Sequence, residues 1–311
     1  EPQSEAEHPQ NVLNKEVTIS DLVFMIGPRI NAAGRLEKAS DSVRLLIADK
    51  KEHADKLASS INDLNVRRRE FDNKITEEAL AMIEQNERLR NAKSTVIFNE
   101  NWHKGVIGIV ASRLTDSYYR PTIVLTRSNN LITGSARSIK NFDIYDAIDN
   151  CSDLLEHFGG HKYAAGLSLK PENLEEFSRR FEEYVANNID KEELIPELNV
   201  DLEIDFSDIT PKFVRVLKQF APFGPGNMAP VFLSRNVVDT GLSRSVGNKK
   251  HLKLTITQRH NPTLVLAGIA FQKGDDYLRV HSKEPFSICY CIEKNFWQGK
   301  TNLQRNVKDI K

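Results

Sequence analysis

Residues 94–138, STVIFNENWHKGVIGIVASRLTDSYYRPTIVLTRSNNLITGSARS, alternate between two hydrophobic periods. STVIF (94–98) and PTIVLT (121–126) are short β-branched runs. GVIGIVASRL (105–114), between them, carries its apolar residues at helical spacing. LITGSARS (131–138) reads as a strand that ends in a turn. Downstream, IYDAIDNCSDLLEHF (144–158) predicts a helix closed by Gly159, where glycine adopts a left-handed cap without strain. A strand, AGLSL (165–169), and a helix begun by Pro171, PENLEEFSRRFEEYVANN (171–188), complete the block. Strands alternating with helices imply an α/β layer structure.

Upstream, Leu57, Ile61, Leu64, Phe71, Ile75 and Met82 recur at three-, four- and seven-residue steps without Pro or Gly. They predict one helix from about Glu52 to Gln85, roughly 50 Å long at ~1.5 Å per residue. A solvated helix of that length ordinarily connects two bodies. Beyond the acidic linker IDKEELIPE (189–197) the character changes. NVDLEID, APVFLS, NVVDTG, HLKLTIT, TLVLAGIA, FSICYCIE and NLQRNVKDI are β-rich, with turns at GNKK, QRHNP and FWQGK and one helix, Pro211 to Phe220. This pattern fits a small Greek-key barrel such as an OB-fold.

The 43 basic and 43 acidic residues cancel, so the broad positive footprint of many nucleic-acid binders is missing. Any anion must be held by local constellations. No apolar run approaches the roughly 18 residues of a membrane helix. The opening EPQSEAEHPQN has no apolar signal core. Three cysteines without CxxC spacing suit a reducing, cytoplasmic setting. The chain lacks a start methionine and opens on text that resembles the middle of a domain, so a fragment is expected.

Four constellations could carry chemistry. In GPRINAAGR (27–35), Arg29 and Arg35 flank Asn31 and small residues; guanidinium forks suit phosphate oxygens, and small side chains admit a ligand to the backbone. In NWHKGVIGIVASRL (101–114), Gly105 and Gly108 open a helix with His103 and Lys104 just before it, a natural anion site. In TGSARS (133–138), Ser135, Arg137 and Ser138 combine hydroxyl donors with one fixed charge. In FGGHKYAAG (158–166), Gly159 and Gly160 place His161 on an open bend, where it could donate to a phosphate or move a proton. Each also has a plain structural reading: a loop-to-helix turn with surface arginines, a strand–helix turn that uses glycine for packing, a polar turn, and a structural histidine. Phe223, Phe232, Tyr290, Phe296 and Trp297 could stack bases, although barrel-core roles suit most of them; Trp297 and Phe296, flanked by Lys294 and Lys300, are the best stacking candidates. No DHH triplet, HExxH, paired-cysteine site or Asp/His cluster at ligand spacing occurs in the sequence, so no metal ligand is assigned.

Taken in order, GPRINAAGR, WHKGVIGIVASR, SARS with FDIYDAI, FGGHKYAAG and PFGPGN-APVF resemble the RecJ family of single-strand-specific exonucleases, within the DHH phosphoesterase superfamily. The resemblance implies the tail of a DHH domain over 1–50, a connecting helix over 51–90, a DHHA1 domain over 91–190 and an OB-fold over 196–311. It implies a 5′-to-3′ exonuclease of DNA repair and recombination, with Mn²⁺ or Mg²⁺ held by an absent DHH domain, so this chain alone is expected to be inactive. Arg29, Asn31 and Arg35 resemble the arginine motif that reaches toward the DNA backbone near the cleavage site. Ser135, Arg137 and Ser138 resemble a 5′-phosphate pocket, and His161 with Gly159 and Gly160 resembles the element that lines the active-site cleft. Trp102, His103 and Gly105 resemble the helix-start motif beside the bound strand, and the barrel would hold the incoming strand. Arg35 and His161 are the residues assigned to catalysis. Single-stranded DNA is the implied partner, with a single-strand-binding protein and a helicase beside it. Arg305 departs from the family pattern, which has an apolar residue there; it would weaken the barrel edge or add a phosphate contact. Two other readings remain: a stand-alone single-strand-binding module, and a phosphoesterase for short RNA or cyclic dinucleotides, which the β-rich tail disfavours.

Overall fold

The computed structural model describes residues 17, 19–224, 226–297 and 300–311, without the side chains of Ser20, 294–297 and 300–302. The chain divides between Pro196 and Glu197 into two compact units.

The first unit opens with helix α1 (Ile19–Asp21), a wide helical turn over Leu22–Ile26, and helices α2 (Gly27–Leu36) and α3 (Ser40–Leu46). Helix α4 (Lys51–Gln85) follows, then α5 (Glu87–Asn91). The long helix is no bare spacer. Ile61 and Leu64 pack against the fully buried Ala32 and Ala33 of α2, and Ile75, Ala79 and Ile83 enter a second cluster. The small residues of GPRINAAGR therefore serve helix–helix approach, where a larger side chain would push α2 off α4.

The sheet contains β1 (Thr95–Phe98), β2 (Thr122–Ser128), β3 (Leu131–Arg137), β4 (Leu155–His161) and β5 (Ala164–Leu169), in the order β1-β2-β3-β5-β4. Only β1 and β2 are parallel, and α6 (Ile107–Tyr118) makes their crossover. Helices α7 (Ile144–Asp149) and α8 (Leu174–Asn188) cover one face, where Leu167, Leu169, Phe177 and Phe181 form the core. The helix expected over 144–158 stops at Asp149, and Gly159 lies inside β4. The reason is a bulge: Leu155 pairs with Leu169 but His157 with Ser168, leaving Glu156 extra. Leu155 and Phe158 thereby reach the same core three residues apart, which imitates helical spacing. FGGHKYAAG is a β-hairpin rather than an open bend. At Gly160, whose φ is 155°, a Cβ would overlap the Ala164 carbonyl and Ala165.

The second unit holds β6 (Leu202–Glu203), α9 (Pro211–Gln219), β7 (Phe232–Asp239), β8 (Arg244–Val246), β9 (His251–Gln258), β10 (Asn261–Ala270), α10 (Tyr277–Val280), β11 (Phe286–Trp297) and β12 (Lys300–Ile310). The order is β6-β7-β11-β12-β10-β9-β8, and a further β7–β9 pairing joins β7, β11, β12, β10 and β9 in a ring. APVFLS and NVVDTG contribute to one strand, β7, which turns at Asn236 (φ 55°) so that Ser234 and Val237 both point inward. Phe232 and Tyr290 are core residues, and the Tyr290 hydroxyl lies 2.9 Å from that of Ser234. Arg305 is buried rather than presented to a strand, and burial lowers its pKa.

Candidate functional site

Three of the four motifs meet in one cleft of about 410 Å³ in the first unit. Arg35 and Gly34 come from α2, Lys104, Gly105 and Gly108 from the start of α6, and Thr133, Ser135 and Arg137 from β3. Glycine makes this convergence possible. A Cβ at Gly105 would overlap the Arg35 carbonyl oxygen, so only glycine lets the end of α2 dock there. The Arg35 guanidinium then donates from Nη1 to the Gly105 carbonyl at 3.3 Å. A Cβ at Gly108 would stand 3.0 Å from Ser135 Oγ and 3.2 Å from Arg137 Nη2, inside the space that a ligand would share with them.

Arg137 is held by neutral oxygens. Its Nε donates to Ser112 Oγ at 3.2 Å, and its Nη1 donates to Ser135 Oγ at 3.1 Å and to the Ala136 carbonyl at 2.7 Å. Burial first, and the charge of Arg35 second, lower its pKa, yet a guanidinium remains charged at neutral pH. Among the described residues no carboxylate forms an ion pair with Arg35 or Arg137. The cleft thus presents fixed positive charge, rigid hydroxyls and open backbone, which suits a phosphate monoanion or dianion. It does not suit a divalent cation, and the described residues contain no group of three or more His, Cys, Asp or Glu placed to hold one.

Residues absent from the sequence reading support this floor. Asp72 of α4 is fully buried and accepts from Arg113 Nη2 at 2.8 Å and Arg68 Nη1 at 3.4 Å, tying α4 to α6. Burial raises its pKa against the pull of both arginines. Arg35 lies within the electrostatic reach of both Arg68 and Arg137. The spacing of Ser112, four residues beyond Gly108 on the same helix face, is a signal that could find it; Asp72 carries no such signal, being one more charge on a long polar helix.

The other expected residues lie elsewhere. Trp102 is buried, its indole Nε1 donating to Glu78 Oε2 at 2.8 Å, so it anchors α6 to α4 instead of facing a strand. His103 stacks on Phe71 with centroids 5.4 Å apart, and its Nδ1 accepts from the Gly105 amide at 3.1 Å. Burial, then Lys104 and Arg67, lower its pKa, so the ring is a neutral brace for the glycine turn. Arg29 donates from Nε to Asn62 Oδ1 at 3.1 Å and from Nη1 to the Met25 carbonyl at 2.7 Å, away from the cleft; Asn31 is exposed. The Ser138 hydroxyl donates to the Phe142 carbonyl at 2.8 Å. Gly159, Gly160 and His161 sit on β4, two strands from β3. Arg137, Ala164 and His161 form one cross-strand row, and Ser135, Gly166 and Gly159 the next. His161 therefore shares the face of Arg137 at about 10 Å, two strand spacings away. The side chain of Trp297 lies outside the described residues.

The DHHA1 domain model matches residues 91–187, and the RecJ OB domain model matches residues 200–309. The chain belongs to the RecJ family. It is 36% identical over 288 residues to the single-stranded-DNA-specific exonuclease RecJ of Bacillus subtilis, covering 92% of this chain and 36% of that protein. It is 32% identical over 305 residues to the Haemophilus influenzae RecJ, covering 95% of this chain and 52% of that one. The crystal structure of Thermus thermophilus RecJ in complex with Mg²⁺ superposes with a TM-score of 0.81 at 26% identity, over 96% of this chain and 45% of that one. A second structure of the same RecJ holds Mn²⁺. The chain spans about half or less of the length of these RecJ relatives.

Proposed function

We propose that this chain is the substrate-gripping part of a metal-dependent 5′-to-3′ single-stranded-DNA exonuclease acting in DNA repair and recombination. The observation that carries the reading is the cleft where Arg35, Lys104, Ser135 and Arg137 converge without a balancing carboxylate among the described residues. The names of the relatives supply the strand, single-stranded DNA, and two neighbouring structures supply the ions, Mg²⁺ and Mn²⁺. A bound metal would activate water for attack on the phosphodiester. The residues of this chain do the complementary work. Arg137 and Ser135 fix the terminal 5′ phosphate, Arg35 and Lys104 neutralise its second charge, and the Gly105–Gly108 backbone leaves room for its oxygens. His161, at the far side of the same face, donates to the strand as it crosses β5 and β4. A single-strand-binding protein and a helicase are the partners such an activity would meet.

The test is affinity for strands that differ only at the 5′ end. Arg137→Ala should weaken binding of 5′-phosphorylated single strands roughly 10- to 100-fold, the worth of hydrogen bonds to a charged group. Binding of 5′-hydroxyl strands should change little. Equal losses for both ends would make Arg137 a general backbone contact and remove the end-recognition reading.

A further inference from the structure

The bulge at Glu156 decides which way His157 points. Leu155 packs into the core, and in an unbroken strand His157, two residues on, would follow it there. The extra residue instead sends Phe158 to the core and turns His157, Gly159 and His161 to the opposite face, where all three are exposed. Bulges that re-aim a side chain recur beside functional sites. Here the re-aimed imidazole falls in one row with Ser168 and Thr133, and Thr133 lines the cleft.

Two of the three side chains in this row are unengaged. Among the described residues, no partner holds the His157 imidazole or the Ser168 hydroxyl. Thr133 is different, since its hydroxyl donates to the Leu167 carbonyl at 3.3 Å. Two free donors therefore stand side by side on neighbouring strands, about 5 Å apart at the backbone. The adjacent carboxylate, Glu156, is paired with Lys170 at 3.6 Å, which blunts its repulsion of an anion. Along the strands the row lies one two-residue step, about 7 Å, from Ser135 and two steps from Arg137, with Ser168 and His157 a further one and two strand spacings, about 5 and 10 Å, to the side. A phosphate bound at Ser135 and Arg137 could not reach it. The first phosphodiester of the strand is the bond such an exonuclease attacks, and a later phosphodiester of an extended strand could reach the row.

The geometry points to a second anion subsite, formed by His157 and Ser168, that takes an internal phosphodiester of a single-stranded nucleic acid. The inference rests on the 5′-phosphate reading of the cleft and extends it from one phosphate to a tract. The subsite gives binding energy that grows with strand length while the first pocket reads only the end.

Anisotropy titrations of the full chain separate the two claims, with thymidine 5′-monophosphate and short 5′-phosphorylated oligothymidylates as probes. His157→Ala and Ser168→Ala should each weaken the oligonucleotide roughly three- to ten-fold, the worth of one or two hydrogen bonds. Neither should alter competition by the monophosphate. A methylphosphonate at one internal position should erase the difference between wild type and His157→Ala. Both residues face solvent, and a melting curve checks that the variants fold. Unchanged oligonucleotide affinity, or equal loss for monophosphate and oligonucleotide, overturns the subsite while leaving the end pocket intact. Wild type that fails to distinguish phosphorylated from hydroxyl ends overturns the pocket as well.

Discussion

Two pairs of arginines lie within one electrostatic neighbourhood of the first unit and are held in opposite ways. Arg68 and Arg113 converge on the buried carboxylate of Asp72. Arg35 and Arg137 are held by carbonyl and hydroxyl oxygens. A guanidinium that meets a buried carboxylate has its charge balanced inside the protein, so it fastens helices and offers little to a ligand. One held by neutral oxygens is oriented and remains uncompensated, which is the state an anion site requires. The net charge of zero thus conceals a local division: the neutralised pair builds the floor, and the other pair faces the cleft.

The largest effect that could break this contrast is on stability. Asp72→Ala leaves two arginines facing a void where a carboxylate stood, and loss of one partner of a buried pair costs about 3–5 kcal/mol. Urea denaturation should show that loss, and a cost near zero would mean that α4 and α6 are joined by their apolar contacts alone. Arg137→Lys sharpens the other half. It keeps the charge and loses the planar fork, so affinity for 5′-phosphorylated strands should fall about ten-fold while the unfolding midpoint stays in place. Retained affinity would show that charge alone suffices in the cleft.

The same contrast explains what the sequence could and could not show. Arginines, serines and glycines at motif spacing were legible because the ligand chemistry is local to each motif. Asp72 was not, because its partners are 41 residues away on α6 as well as one turn away on α4. The alternation over 94–138 and the apolar stripe of α4 were readable, since each follows a single period to its end. Where a bulge interrupts the period, legibility failed. At Leu155 and Phe158, and again at Ser234 and Val237, inward residues stand three apart in a strand. The first spacing imitates a helix, and the second imitates a break between strands. Trp102 misleads for another reason: its place beside the histidine and lysine of a helix-start motif suggests a residue next to the bound strand, and only its own burial and its hydrogen bond to Glu78 show it to be a core anchor.

The smallest effect concerns pH, and it tests whether Asp72 is a strong or a compromised counter-ion. Burial raises its pKa even with two arginines beside it, so the folded protein binds its proton more readily than the unfolded chain does. Stability from this group is then fully present below the unfolded value near 3.8 and declines as pH rises through the folded value. Asp72→Asn removes that titration and keeps an oxygen for the arginines, so it should cost only about 1 kcal/mol at neutral pH. The difference between wild type and Asp72→Asn should widen in favour of wild type as pH falls toward that unfolded value. A difference that narrows on acidification would mean that the arginines hold Asp72 ionised more firmly than burial discourages it. Its pairing would then stabilise the α4–α6 contact through charge, and the division between balanced and unbalanced arginines would be sharper still.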